Sequence, residues 1–552
     1  MKKIISVLLS IIFAFSFVSV ISFASFNTVY YVDAENGNDG NDGKSESSSW
    51  KTLGKISSIT FNPGDKILLK CGDIFDGTIT AKGNGTSENP ITIGSYGDYS
   101  LGKPLIKNSD DHSSAIVLQN VSGWCVDGID FTSENGRGIL VQALNDEEMG
   151  YITIKNCSFS DFCYVGGGID GGDHAPILIC SDKSDARIRH LTISGCSFAH
   201  SGYGIIMDGI SREWSKDDYV SPDKSYNTDF LIENVTMNDI LYDGIIVMSV
   251  CGITIRNSSF INVSMDTTSA TAPVWSHHAD KFIFENCEVG GSANYHDGMA
   301  IDFDGWTTNS TAQYIYSHDN QRFINNCCYD GWTRNENCTV RYCLSVNDSK
   351  CKNSMAQIFY STSLEYDDTE MSDYMDNFKF YNNTLINMGE MEIKNLRNSV
   401  IANNIFMGGE KMSYFYYTRK NTDDVTEEWV VTEFDGLFSN NCFCGVAVPY
   451  LAKNNYICEP GFIGSDNSDK NSFKLATSSL LIGKGIKCDD DMGETDFYGN
   501  ALTQSHNIGC YEGEGEGKAA FDFTGALKRI YWFVIRNVYN LTDTISGRFW
   551  LF

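Results

Sequence analysis

Proline is scarce, with 8 in 552 residues, which excludes proline-rich linkers and polyproline stalks. Positive charge is scarce too: 41 Lys and Arg stand against 71 Asp and Glu, a net charge of −30. Nucleic acid is thereby excluded as a partner, because phosphate binding needs clustered Lys and Arg. The same deficit weighs against a polyanionic glycan unless a local basic groove or bound calcium holds it. Beyond the first 25 residues no stretch is long and apolar enough to span a bilayer, which excludes a multi-pass helical membrane protein. No helical periodicity separates the strand-like segments, which excludes βαβ units. Eighteen cysteines spread over this length are too thin for a disulfide scaffold.

What is abundant points to strands and turns. The chain has 50 Gly, 28 Tyr and 33 Phe, and 42% of it is hydrophobic, enough for a large core. Residues 1–24 read as a secretion signal: Lys2 and Lys3, an apolar run, then Ser22-Phe23-Ala24 as a small-x-small cleavage site. An uncleaved anchor is the alternative reading of that run. Either reading makes the protein secreted or cell-surface.

Short units of period two recur: ITIKNCSF at 152–159, LTISGCSF at 191–198, FLIENVTM at 230–237, ITIRNSSF at 253–260 and FIFENCEV at 282–289. TVRYCLSV, FKFYNNTL and VIANNIF continue the series at 339–346, 378–385 and 400–406. Each alternates apolar and polar residues, then meets a turn residue: Asn156, Gly195, Asn234, Asn257, Asn286, Ile315, Tyr342, Asn382 and Asn403. Repeats in the twenties, lengthened where loops intervene, predict a solenoid. The fold class is all-β, a right-handed parallel β-helix over 111–512. An N-terminal cap and first coils fill 25–110, a linker 513–517, and a short amphipathic basic helix 518–552. Cys157, Cys196, Cys287 and Cys343 share one register, which predicts stacked buried thiols rather than bridges, with Cys327 and Cys328 as candidates for pairing. The 36–43 loop leaves room for a structural calcium, though it lacks the closing Glu of an EF-hand and reads more readily as a Gly/Asn/Asp turn. In the tail, Leu527, Ile530, Tyr531, Val534, Val538 and Leu541 fall on one helical face. That face would contact a membrane or cell surface, or else pack on the end of the solenoid.

The segment HDGMAIDFDGW, from His296 to Trp306, carries Asp297, Asp302 and Asp304. Alternation from Gly298 puts Met299, Ile301 and Phe303 inward and Asp302 and Asp304 outward. Two residues along a strand span roughly 6.6 Å. Carboxyl pairs of glycosidases stand roughly 5–9.5 Å apart, so the spacing suits a catalytic pair. Aspartate in mid-strand is disfavoured, which a site would explain. Aligning GIIMDG at Gly204 on the same register puts Asp208 in the place of Asp302. The next strand ends in His318 and Asp319, and the coil after it in Asp348. Asp or Asn there is also ordinary turn chemistry. The candidate catalytic residues are therefore Asp302, Asp304, Asp319 and Asp348. Candidate substrate contacts are His318, Trp306, Trp332 and Asp208, the tryptophans as stacking faces or as buried caps. His277, His278 and His296 are expected in loops; no metal ligand is assigned.

The opening YYVDAENGNDGNDG…FNPGDKILLKCGDIFDGTI resembles the N-terminal cap of secreted bacterial parallel β-helix proteins of the pectate-lyase superfamily. DFDGW…AQYIYSHDN…VRYCLSVND resembles glycoside hydrolase family 141. The likeness covers residues 29–512. It implies hydrolysis of xylan- or fucose-containing plant cell-wall glycans, with no cofactor required, and carries Asp302, Asp304, Asp319 and Asp348 over as matching positions. The Gly-His-Gly motif of polygalacturonases is absent. Two alternatives stand beside the hydrolase: a calcium-dependent polysaccharide lyase acting on uronates, and a non-catalytic glycan-binding surface protein.

Overall fold

The computed structural model describes residues 27–109, 113–163, 174–181, 186–208, 227–294, 296–326, 334–348, 359–360, 374–389, 391–393, 396–408, 415–417, 436–449 and 451–520. The signal segment, Trp332, Cys327, Cys328 and the tail beyond 520 lie outside them.

The backbone is a parallel β-helix. Each coil contributes strands to three stacks, and every strand pair within a stack is parallel. One stack is a thirteen-stranded sheet running from Ile74–Asp76 to Cys442–Cys444. The other two join through long bent strands such as Ile245–Arg256 and Val274–Glu285. The period-two pattern produces this directly, because one alternate set of each strand meets the same set of the next coil. Ile154, Ile193, Ile232, Ile255, Phe284, Ala312, Val340, Phe380 and Ile401 form one continuous internal ladder. Phe131, Phe159 and Phe198 stack at 4.9 Å, the spacing of adjacent strands.

The turn into the thirteen-stranded sheet requires a left-handed residue in each coil. Asn156, Asn234, Asn257, Asn286, Asn382 and Asn403 all have φ between 52° and 54° or at 56°. Asparagine tolerates this region because its side chain bonds locally. In the coil expected to turn at Ile315, the left-handed residue is Tyr314, φ 58°, while Ile315 is buried. This correction makes the steps on either side of that turn equal. Immediately after the turn, Cys157, Cys196, Cys287 and Cys343 are buried free thiols, as the shared register predicted. In later coils the same position holds buried asparagines. The Asn404 side chain donates to Phe380 O (2.9 Å) and Asn441 Oδ1 (3.0 Å), and accepts from Asn383 N (2.9 Å) and Nδ2 (3.1 Å).

Both ends are covered. At the start, Trp50 stacks on Tyr30 at 4.7 Å, and the helix Leu53–Ser57 buries Leu53 and Ile56. The 36–43 loop is held by amides that follow it: Asp39 Oδ1 accepts from Lys51 N and Thr52 N, Asp42 Oδ1 from Lys44 N. These carboxylates are thus engaged with donors. Among the described residues no group of three or more His, Cys, Asp or Glu side chains is placed to hold a metal ion. At the far end the chain doubles back, and Phe462, Phe473, Leu475, Leu481, Ile508 and Tyr511 cover Leu344, Val346, Ile386 and Ile405 on the outside of the thirteen-stranded sheet. Residues 513–520, which the sequence assigns to a linker and the start of the tail, bond to this cover through Glu516 N to Leu475 O and Ala520 N to Phe462 O. Among the described residues no helix is long and apolar enough to cross a membrane.

Candidate functional site

The strand Met299–Phe303 is buried at all five positions, so neither of its alternate sets faces solvent. Gly298 makes the turn before it. Its φ is +55°, and a Cβ there would lie 2.1 Å from Asn294 O, so no other residue fits. Asn294 holds the same turn by accepting from His296 N and Asp297 N at 2.9 and 3.0 Å. This presents Asp297 beside the strand that carries Asp302.

Asp302 lies between two strands. Trp275 is its register partner on one side and Asn325 on the other, and Asn325 Nδ2 donates to Asp302 Oδ1 at 2.9 Å. Burial, then the charges of Asp304 and Asp297, push the Asp302 carboxyl well above the usual carboxylate range. Asp304 is half-buried, so it is the more accessible of the two expected partners. Asp297 is also pushed up by burial, against the opposing pull of Arg322 and His296. Arg322 Nη1 donates to His296 O at 2.7 Å and stands 3.9 Å from Asp297 Oδ1. A further carboxylate, Asp243, is 7% exposed. Its Oδ1 accepts from Ala272 N and from Trp275 Nε1, both at 2.9 Å, and burial raises it to about 7, with Asp297 adding to the shift.

His277 and His278 are strand residues, not loop residues as expected. Burial lowers them to about 4 and about 2, so both are neutral. Their Nδ1 atoms approach to 2.6 Å, and His277 is next in register to Asp304, whose amide bonds Ser276 O.

The structure divides the expected residues into two places. Asp302 and Asp304 share one site. His318, Asp319 and Asp348 sit on the thirteen-stranded sheet, at the ends of strands Tyr316–His318 and Leu344–Val346. Asp348 is 1% exposed and fully engaged: it accepts from Ser317 Oγ (2.5 Å), Ser345 Oγ (2.7 Å) and Asn320 N (2.9 Å). It ties two coils together, and a substrate has no path to it. His318 bridges Glu288 (3.1 Å) and Asp319 (3.2 Å). Asp208 ends the strand Ile205–Asp208, but Ile206 stands in the row of Trp275 and Asp302, through Ile246. Asp208 therefore belongs to the row of Asp304, two residues on, because the long bent strands set a register that motif alignment missed. Trp306 is 8% exposed and packs near His278, with ring centroids 6.1 Å apart, so it caps rather than offers a face. The half-buried indole beside Asp302 is that of Trp275.

Asp348 makes a testable contribution to stability. Burial raises its carboxyl to about 6, so the folded chain keeps a proton that the unfolded chain gives up near pH 4. The folded state is therefore favoured at low pH, and this advantage is lost as pH rises through about 6. Between these limits wild type should lose about 1.4 kcal/mol per pH unit relative to Asp348→Asn, measured by denaturant unfolding.

Fold and site together define a parallel β-helix protein with a desolvated carboxylate cluster on one stack. The chain is 24% identical over 599 aligned positions to a protein of Bifidobacterium longum subsp. longum described as a lacto-N-biosidase, covering 89% of this chain and 36% of that protein. It thus spans about a third of that relative's length. Crystal structures of a GH136 lacto-N-biosidase from Eubacterium ramulus, native and selenomethionine, match with a TM-score of 0.50 and 19% identity, over 71% of this chain and 64% of that one. No protein-family profile matches the chain. The resemblance to family 141 rests on the sequence motifs alone.

Proposed function

We propose that the protein is a glycoside hydrolase whose reacting carboxyl groups are Asp297 and Asp304. The observation that carries this is that Asp297 and Asp304, both half-buried, stand at the two ends of the buried strand that carries Asp302, close enough to act on its carboxyl. Carboxyl groups with opposed environments divide acid and base roles between them. Asp302 is 6% exposed and bonded to Asn325, which holds it in the wall rather than against a sugar. Asp297, raised and partly open, donates the proton to the leaving oxygen. Asp304, half-buried, serves the anomeric side as nucleophile or base. The acidic lining, with Arg322 turned to Asp297, favours neutral sugars over uronates and weighs against lyase chemistry.

The substrate we propose is an oligosaccharide carrying a lacto-N-biose unit, supported by the similarity to lacto-N-biosidases. Xylan- and fucose-containing plant glycans, implied by the sequence motifs, are the competing class. Secretion, and surface contact through 518–552, belong to the same proposal and rest on the sequence. The test is product analysis by mass spectrometry on a lacto-N-biose-terminated tetrasaccharide, arabinoxylan and fucosylated pectin fragments. A released disaccharide from the first supports the reading. Products from the plant glycans alone would move the substrate, and no product from any would leave a binding protein.

A further inference from the structure

Trp275 is half-buried, and its strand neighbours differ in kind. On one side lies Asp302; on the other Ile246, which packs with the apolar outer cluster of Leu178 and Ile206. An indole at such a boundary presents an apolar face beside carboxylates. A sugar ring matches that surface, with its C–H face against the indole and its hydroxyls toward the acceptors. The orientation of the indole is set by its single polar atom, and Asp243 accepts that N–H at 2.9 Å. The same Oδ1 is pinned by Ala272 N in the following turn. Asp243 itself is almost fully enclosed.

We propose that Asp243 is a positioning residue that locks the Trp275 indole as the side wall of the sugar site, and so governs substrate binding rather than bond cleavage. This rests on the hydrolase reading above. The charged group that acts on Asp243 is Asp297 in the neighbouring turn, which adds to the effect of burial. Burial, with the charge of Asp297 added, holds the proton on Asp243 until the neutral range, at about 7. The polarity around the indole changes with it.

Two measurements test this. Tryptophan emission is followed from pH 5 to 9 in wild type, Asp243→Asn and Trp275→Phe. A transition near pH 7 in wild type, missing from both variants, is expected; its persistence in Asp243→Asn would overturn the proposal. On the cleaved substrate, Asp243→Ala should raise KM about tenfold or more with kcat within about threefold, and Asp243→Asn, which keeps the acceptor, should restore KM. A fall in kcat at unchanged KM would equally overturn it. The emission titration needs no substrate, so it decides the Asp243–Trp275 contact even where no glycan is cleaved.

Discussion

Asp304→Asn is expected to lower kcat by about 10³-fold, with the melting temperature unchanged or higher. The physical reason is that Asn keeps the shape but can neither form a glycosyl ester nor take a proton. Removing the Asp304 charge also removes one of the two charges that push Asp302 up. The variant should therefore bind product and substrate as well as wild type does, with the loss confined to kcat. Asp297→Asn should cost a similar factor on natural substrates. It should cost far less on an aryl glycoside with an acidic phenol, because a good leaving group needs no proton. Steady-state kinetics on both substrate types separates the two roles. If Asp304→Asn stays within about threefold of wild type, these carboxylates are not the reacting pair. If Asp297→Asn is equally impaired on both substrates, Asp297 is not the acid.

The largest stability effect is expected at Asn404. Asn404→Ala removes a fully buried side chain and leaves Phe380 O and Asn383 N without their partners inside the solenoid. Each orphaned buried group costs about 1–3 kcal/mol, so the total for the two should be about 2–6 kcal/mol. Asn398→Ala is the control. Unlike Asn404, Asn398 has positive φ, at 49°, but it is exposed, and its Nδ2 bonds Asp376 Oδ1 across the outer edge. There the cost should be about 1 kcal/mol, from the left-handed backbone alone. Coils of a solenoid lean on their neighbours, so the damage should spread from Asn404 toward the C-terminal cover. Amide hydrogen exchange should show faster opening of strands Ser399–Ala402, Ile405–Gly408 and Cys442–Cys444 than of strands near Asn156. Equal exchange along the whole solenoid would refute the local picture.

Asn156, Asn234 and Asn286 were readable as turn positions because a left-handed backbone is a local demand, and asparagine answers it within one residue. The inward ladder was readable for a similar reason: period-two alternation is a property of the strand itself, and stacking repeats it in every coil. Asp302 and Asp304 stood out because they break that pattern, although the strand ends at Phe303 and Asp304 lies just past it. What surrounds them could not be read in the same way. Asp243 reaches Trp275 across 32 residues. Arg322 stands by Asp297 only because the strand it opens pairs Met299 with it. A missing clue is the bent strand Val274–Glu285, whose two halves belong to different stacks. Its length sets which outward residues share a row, and so moves Asp208 out of the row of Asp302.

The amino-acid order alone therefore carried the all-β solenoid, its turn residues and the acidic strand, because each follows from φ preferences and alternation within a few residues. The grouping of Asp243, Asp297 and Trp275 with Asp302, and the separation of Asp319 and Asp348 onto another sheet, arose only on stacking. Coil lengths set by intervening loops decide which residues meet, and burial between coils decides which carboxylates keep their protons.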